Sequence, residues 1–201
     1  MLEDSFSDMY LQETEALVRS IDPLQVEAVA SQLASVKAAG GRLFILGVGG
    51  SAGHASHAVN DFRKICQFEA YAPTDNVSEL TARINDEGWE TAFAEWLKGS
   101  RISHFDAVLV FSVGGGSEEN GVSINLVRAL EVARSAKACI VGIVGRDGGF
   151  TAEIADACVL IPSAFPSRIT PHTEGLCAVL WHLLVSHPKL QVNSTAWEAR
   201  S

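Results

Sequence analysis

Four short apolar runs set the first limit on what this chain can fold into. They are "RLFILG" (Arg42 to Gly47), "AVLVFSV" (Ala107 to Val113), "ACIVGIVG" (Ala138 to Gly145) and "ACVLIP" (Ala157 to Pro162). Almost continuous and rich in Val and Ile, they suit strands buried on both faces. Helix-length stretches separate or follow them: Ser51 to Phe68, Ser117 to Ala136, a short turn near Thr151 to Ala155, and Thr173 to Ser186. Strand alternating with helix implies right-handed crossovers and a parallel sheet, hence a three-layer α/β sandwich. A short fifth strand fits Glu69 to Ala72, and Val77 to Lys98 reads as one or two amphipathic helices. Ahead of the sheet, Leu2 to about Ser20 and Pro23 to Ala39 carry apolar positions at helical spacing. Asp22 and Pro23 form an N-cap and N1 pair, and Gly40-Gly41 a stop.

The expected organisation is one domain: a helical pair over 1–40, an α/β core over 41–190 and a polar tail over 191–201 that frays. With 201 residues and 47% hydrophobic content, the chain can bury a substantial core. A formal net charge of −9 argues against nucleic acid or an anionic membrane as the main partner, since both need concentrated Lys and Arg. A small anion remains compatible, because a few local donors suffice for it. The acidic start "MLEDSFSDMY" lacks the basic and then apolar order of a secretory signal, and no apolar run approaches a membrane span, so a cytoplasmic location is expected. Cys66, Cys139, Cys158 and Cys177 are scattered without a CxxC pair, which argues against a disulfide or a cysteine zinc site.

In an open parallel sheet, ligands gather where strands end and helices begin. Two loops fall at such places, "GVGGSAG" from Gly47 and "SVGGGSEENG" from Ser112. Glycines turn tightly and present bare N–H groups, serines add hydroxyls, and a helix N-terminus favours an anion. Ser51, Ser112 and Ser117 are therefore the phosphate-contact candidates, with Gly49 and Gly50 as further substrate-binding positions, against the plainer reading of two ordinary strand-to-helix turns. The first loop also matches the dinucleotide fingerprint G-x-G-x-x-A, with Glu69 at the distance of a ribose-binding acid, so a dehydrogenase is one rival. Neither loop ends in G-K-[ST], which excludes a P-loop.

On a helix starting near Ser51, His54, His57 and Asp61 fall on one face, with His57 and Asp61 at i, i+4. That spacing suits metal ligands or an acid/base pair, or simply a solvated face. Further on, Glu174 and His182 interrupt the apolar "RITPHTEGLCAVLWHLL". Imidazole and carboxylate on two helices are the ingredients of a zinc site or a proton-transfer pair. Eight helical residues rise about 12 Å, too far for Glu174 and His182 to share one ion on a straight helix. Either the helix starts after Glu174, as Pro171 suggests, or a second subunit completes the site.

The ordered set "GVGGSAGHASHAVNDF", "TDNVSELTARINDEGWE", "SVGGGS", "GIVGRDGG" and "RITPHTEGLCAVLWHLL" resembles the sugar isomerase (SIS) domain family, and within it the bacterial phosphoheptose isomerases. The resemblance covers nearly the whole chain. It implies a five-stranded parallel sheet, a homotetramer with interfacial active sites, and isomerisation of sedoheptulose 7-phosphate to the aldose heptose 7-phosphate. It also implies zinc held at His57, Asp61, Glu174 and His182, with Asp61 and His182 as base and acid, and Asn85 and Asp86 as substrate-binding positions. The chain departs from the family at Asp61 and Glu174, where glutamate and glutamine are usual, and at Val113 and Gly114, where hydroxyls are. Glu118 and Glu119 add negative charge just after the second loop. A non-catalytic sugar-phosphate-binding or protein-interaction module is the alternative.

Overall fold

The computed structural model describes residues 5–195. Its five strands, β1 (Leu43–Leu46), β2 (Ala70–Tyr71), β3 (Ala107–Ser112), β4 (Cys139–Val144) and β5 (Ala157–Leu160), form one all-parallel sheet in the order β2-β1-β3-β4-β5. The fifth strand expected at Glu69 to Ala72 is present, though only two residues long.

Alternation along each strand divides the core in two. Leu43, Ile45, Leu109, Phe111, Val141, Ile143 and Val159 face one layer, whereas Phe44, Leu46, Val108, Val110 and Ile140 face the other. The first layer holds α1 (Phe6–Ser20), α2 (Pro23–Ala38), α3 (Gly50–Lys64) and α8 (Ile169–Val185). The second holds α4 (Val77–Glu87), α5 (Ala92–Gly99), α6 (Ile124–Ser135) and α7 (Gly149–Ile154). Burial on both faces is why these runs carry no polar alternation.

The N-terminal helices begin where their caps predict. Ser5 and Asp8 form a capping box on α1, and the Asp22 carboxylate accepts the Leu24 N–H ahead of Pro23. Residues 2–4, expected within the first helix, lie outside the described residues.

Three expected boundaries move. α3 stops at Lys64 rather than Phe68, because Gln67 turns left-handed (φ 52°) and the Phe68 N–H closes back on the Phe62 carbonyl. α6 starts at Ile124 rather than Ser117: Ser117 and Val122 exchange both backbone hydrogen bonds across the four-residue loop Glu118 to Gly121, in which the Gly121 N–H closes on the Glu118 carbonyl. α8 starts at Ile169, not at Thr173 or beyond Glu174, since a proline is tolerated in a first helical turn. The tail does not fray at once either. The N–H groups of Val192 and Asn193 both donate to the Ile65 carbonyl, and residues 196–201 lie outside the described residues.

All four cysteines are free thiols, and burial pushes each up, to about 11 for Cys66 and Cys158 and about 12 for Cys139 and Cys177. Among the described residues no helix is long and apolar enough to cross a membrane.

Candidate active site

The first loop delivers α3 directly from the end of β1. Gly49 takes φ 63° and ψ −127°, a conformation open essentially to glycine alone, and α3 begins at the next residue with no side chain capping it. The Ala52 N–H turns back to the Gly49 carbonyl, and the N–H groups of Gly50 and Ser51 are left for a ligand or solvent. Ser51, 5% exposed, lines the cleft above the sheet and has no side-chain hydrogen bond among the described residues.

The dinucleotide reading fails on geometry. The Glu69 carbonyl accepts the Leu43 N–H, so Glu69 stands at the amino end of β1, opposite the glycine loop. A ribose-binding acid belongs at the carboxyl end.

Farther along α3, His57 and Asp61 meet His182 of α8. Asp61 Oδ2 lies 3.7 Å from His57 Nε2 and 4.0 Å from His182 Nε2, and one donor atom from each residue lies within 4.8 Å of the other two. Contact between α3 and α8 brings them together, as the helical spacing alone could not. His182 Nδ1 is 2.7 Å from the Ala178 carbonyl, which can only accept, so the neutral ring carries its proton there. Its Nε2 lone pair faces Asp61. The buried Trp181 ring stacks on His182 at 3.5 Å between centroids and meets His57 edge-on at 4.7 Å. Asp61 is largely covered, while the two imidazoles are more than half exposed, which leaves one side open to a ligand. Two imidazoles, one carboxylate and a tautomer that frees Nε2 make a donor set that fits a divalent ion.

The expected fourth ligand is elsewhere. Glu174 sits two turns before His182 on the same unbroken helix, and its carboxylate lies beside Gly50, about 2.6 Å from where a Cβ would be. It belongs to the start of α3 and stands outside the His57–Asp61–His182 group. His54, on the same helix, does not join the group either. Asn85 and Asp86 are exposed near the end of α4, where the Asn85 amide donates to the Asp86 carboxylate at 2.7 Å. They do not line the cleft.

The second loop forms the far wall of a cleft of about 1420 Å³. Ser112 Oγ accepts the Gly115 N–H, and Ser117 Oγ accepts from the Asn120 backbone and side chain. Each hydroxyl keeps its proton for a ligand, yet both already hold the loop in shape. The loop is in turn fixed to α7, because the Gly115 and Gly116 carbonyls accept the Thr151 and Phe150 N–H groups. Four carboxylates, Glu118, Glu119, Asp147 and Glu153, and one arginine, Arg146, line this cleft. Arg146 lies in the "GIVGRDGG" stretch and is not among the candidate residues named from the sequence. Its position one residue past Gly145, at the carboxyl end of the β4 run, was the available signal.

A buried polar cluster anchors the start of α8, and it also escaped the sequence reading. The Glu13 carboxylate of α1 accepts from Arg168 Nε at 2.7 Å and lies 2.8 Å from His172 Nε2, with Tyr10 stacked on that imidazole. The Arg168 guanidinium, with His172 beside it, outweighs desolvation and holds Glu13 down at about 2.

No protein-family model matches the chain. It is 33% identical over 189 residues to a phosphoheptose isomerase of Trichlorobacter lovleyi, covering 90% of both chains. It is 32% identical over 188 residues to the lincomycin biosynthesis protein LmbN of Streptomyces lincolnensis, with 88% of this chain matched but only 66% of that longer protein. The structure of phosphoheptose isomerase from Neisseria gonorrhoeae superposes with a TM-score of 0.76 at 22% identity, covering 89% of this chain and 94% of that one. The sheet, its two ligand-side loops and these likenesses define a sugar-phosphate isomerase with the SIS fold. Within that class, the chain belongs to the phosphoheptose isomerase family.

Proposed function

We propose that the protein converts sedoheptulose 7-phosphate to D-glycero-D-manno-heptose 7-phosphate through an enediol, acting in the cytoplasm. The observation that carries this reading is the convergence of His57, Asp61 and His182 on one open-sided group, on the same helix whose first turn presents Ser51 to the cleft. Ser51 precedes Asp61 by ten helical residues, about 15 Å, so phosphate and reacting carbons bind at separate points along α3.

The chemistry is a proton shift between neighbouring carbons. Asp61 removes the proton beside the carbonyl and returns it to the adjacent carbon, while His182 moves protons between the two oxygens. His57 lies beside Asp61 and meets Trp181 edge-on, and the Asn60 amide donates to the Asp61 carboxylate at 2.8 Å, which helps orient it. A zinc ion held by His57, Asp61 and His182 would polarise the carbonyl and stabilise negative charge on the enediolate. His182 Nε2 has one lone pair, so it serves either an ion or a proton, and metal dependence separates the two roles. Glu174 of α8, whose carboxylate lies beside Gly50, binds a substrate hydroxyl in this reading.

The proposal includes a homotetramer with active sites at subunit interfaces. Half-exposed His57 and His182, beside the exposed Val179 and Leu183 of α8, support it. Light scattering on the purified protein tests that part.

An NMR time course of sedoheptulose 7-phosphate, run with chelator and with added zinc, tests the activity. Aldose heptose 7-phosphate should form, and Asp61→Asn should slow it by about 100-fold or more. Undiminished turnover in Asp61→Asn would remove the assigned base. No turnover under any metal condition would remove this substrate and direct attention to other ketose phosphates.

A further inference from the structure

The cleft poses an electrostatic problem for a phosphorylated substrate. Glu118, Glu119, Asp147 and Glu153 line it, and Arg146 is the one cationic side chain on its wall among the described residues. Glu118 is already paired with Arg128 at 2.7 Å, which leaves three carboxylates without such a partner. Val113, Gly114 and Gly116 offer no side-chain donors, and the Ser112 and Ser117 oxygens are engaged within their own loop. The leading N–H groups of α7 are spent as well, since Phe150 and Thr151 donate to the second loop. The neutral donors left to a dianion here are those of Ser51 and the first turn of α3, and a cation beside them supplies the charge that offsets the acids.

Arg146 is held in a way that suits it to that task. Its backbone is left-handed (φ 54°), which a residue with a Cβ adopts at a cost, and its N–H donates to Ser163 Oγ at 2.9 Å. Its Cδ passes 3.6 Å from the point where a Cβ on Gly114 would lie, so the stem rests over the second loop. The guanidinium makes no ion pair among the described residues, although four carboxylates share its cleft. An exposed arginine in a strained backbone position, unpaired amid acids, stays available for an incoming oxyanion.

We propose that Arg146 grips the terminal phosphate of the substrate and thereby sets the site's preference for a monophosphorylated sugar. The proposal rests on the sugar-phosphate reading above. A planar guanidinium binds phosphate through two parallel N–H bonds, and the surrounding acids repel a second anionic group.

The test compares wild type with Arg146→Gln, Arg146→Lys, Arg146→Gly and Arg134→Gln, the last removing an exposed arginine of α6 outside the cleft. Steady-state turnover is read alongside inhibition by inorganic phosphate. Arg146→Gln should raise KM for the sugar phosphate and Ki for phosphate together, by about 10- to 100-fold, with kcat changed less than about threefold. Arg146→Lys should recover part of the loss, and Arg134→Gln should change neither constant. Glycine adopts φ 54° without cost, so Arg146→Gly should keep or raise Tm while losing phosphate affinity, which separates binding from folding. Unchanged KM and Ki in Arg146→Gln would overturn the proposal, as would a fall in kcat alone. A wild-type protein that turns over no ketose phosphate but binds inorganic phosphate through Arg146 would sink the isomerase reading and support this one. Active wild type with Arg146-independent phosphate binding would do the reverse.

Discussion

Gly49 and Gly115 both take positive φ in loops that follow neighbouring strands, but their surroundings differ. A Cβ added at Gly49 would meet nothing within 4 Å, whereas one at Gly115 would lie 1.8 Å from the Gly148 carbonyl oxygen. The first loop is an open turn that releases a helix and leaves the Gly50 and Ser51 N–H groups without a partner among the described residues. The second is a scaffold piece, fixed to α7 and shaped by its own serines, with polar groups largely satisfied inside the protein. Two stretches rich in glycine and serine therefore do different work. The first supplies donors from the backbone; the second supplies position, and its binding capacity depends on Arg146 beside it.

The largest expected effect that sharpens this contrast is on stability. Gly115→Ala adds a backbone clash to left-handed strain and should cost about 4 kcal/mol or more, whereas Gly49→Ala adds strain alone, about 1–3 kcal/mol. Urea titration of both variants checks it. Equal losses would mean that the two loops are not different in kind.

Next comes the anchor of α8, the helix that carries Glu174 to the first loop and His182 to Asp61. Because Glu13 titrates near 2 in the folded protein, below its ordinary 4.5, its contribution is fully present above about pH 4.5. It is lost as the pH falls toward 2. Glu13→Gln should lower Tm at pH 7, and its gap from wild type should close across that acid range. A gap independent of pH would show that Glu13 acts by packing instead of charge.

The smallest effect concerns the serines. Ser51→Ala removes a hydroxyl with no partner among the described residues and should raise KM by about 5- to 10-fold with little change in Tm. Ser112→Ala removes the acceptor of the Gly115 N–H and should cost about 1 kcal/mol of stability with a smaller change in KM. The reverse pattern would exchange the roles assigned to the two loops.

The candidate site was legible where a single element carries it. The i, i+4 spacing of His57 and Asp61, the glycines before Ser51 and the parallel sheet all follow from local periodicity and turn chemistry. The hairpin at Ser117 to Val122 was less legible: its four-residue loop uses Gly121 in the left-handed region (φ 63°), but one glycine among polar residues does not tell a hairpin from a helix start. Glu174 shows the limit from the other side. Its spacing from His182 exposed the problem of a shared ion, but nothing local said that it would lie against Gly50.

By itself, the sequence determined the three-layer plan and the places where strands give way to helices, because apolar period and turn residues act over a few positions. Only the tertiary structure decided which side chains meet. It joined His182 to Asp61, placed Glu174 at the first loop, set Glu13 on Arg168 and His172, and laid Arg146 over the second loop. Those relations cross 121, 124, 155, 159 and 32 positions or fewer of chain. Side-chain contact at such separations is fixed by how helices pack on the sheet, which no short window of residues encodes.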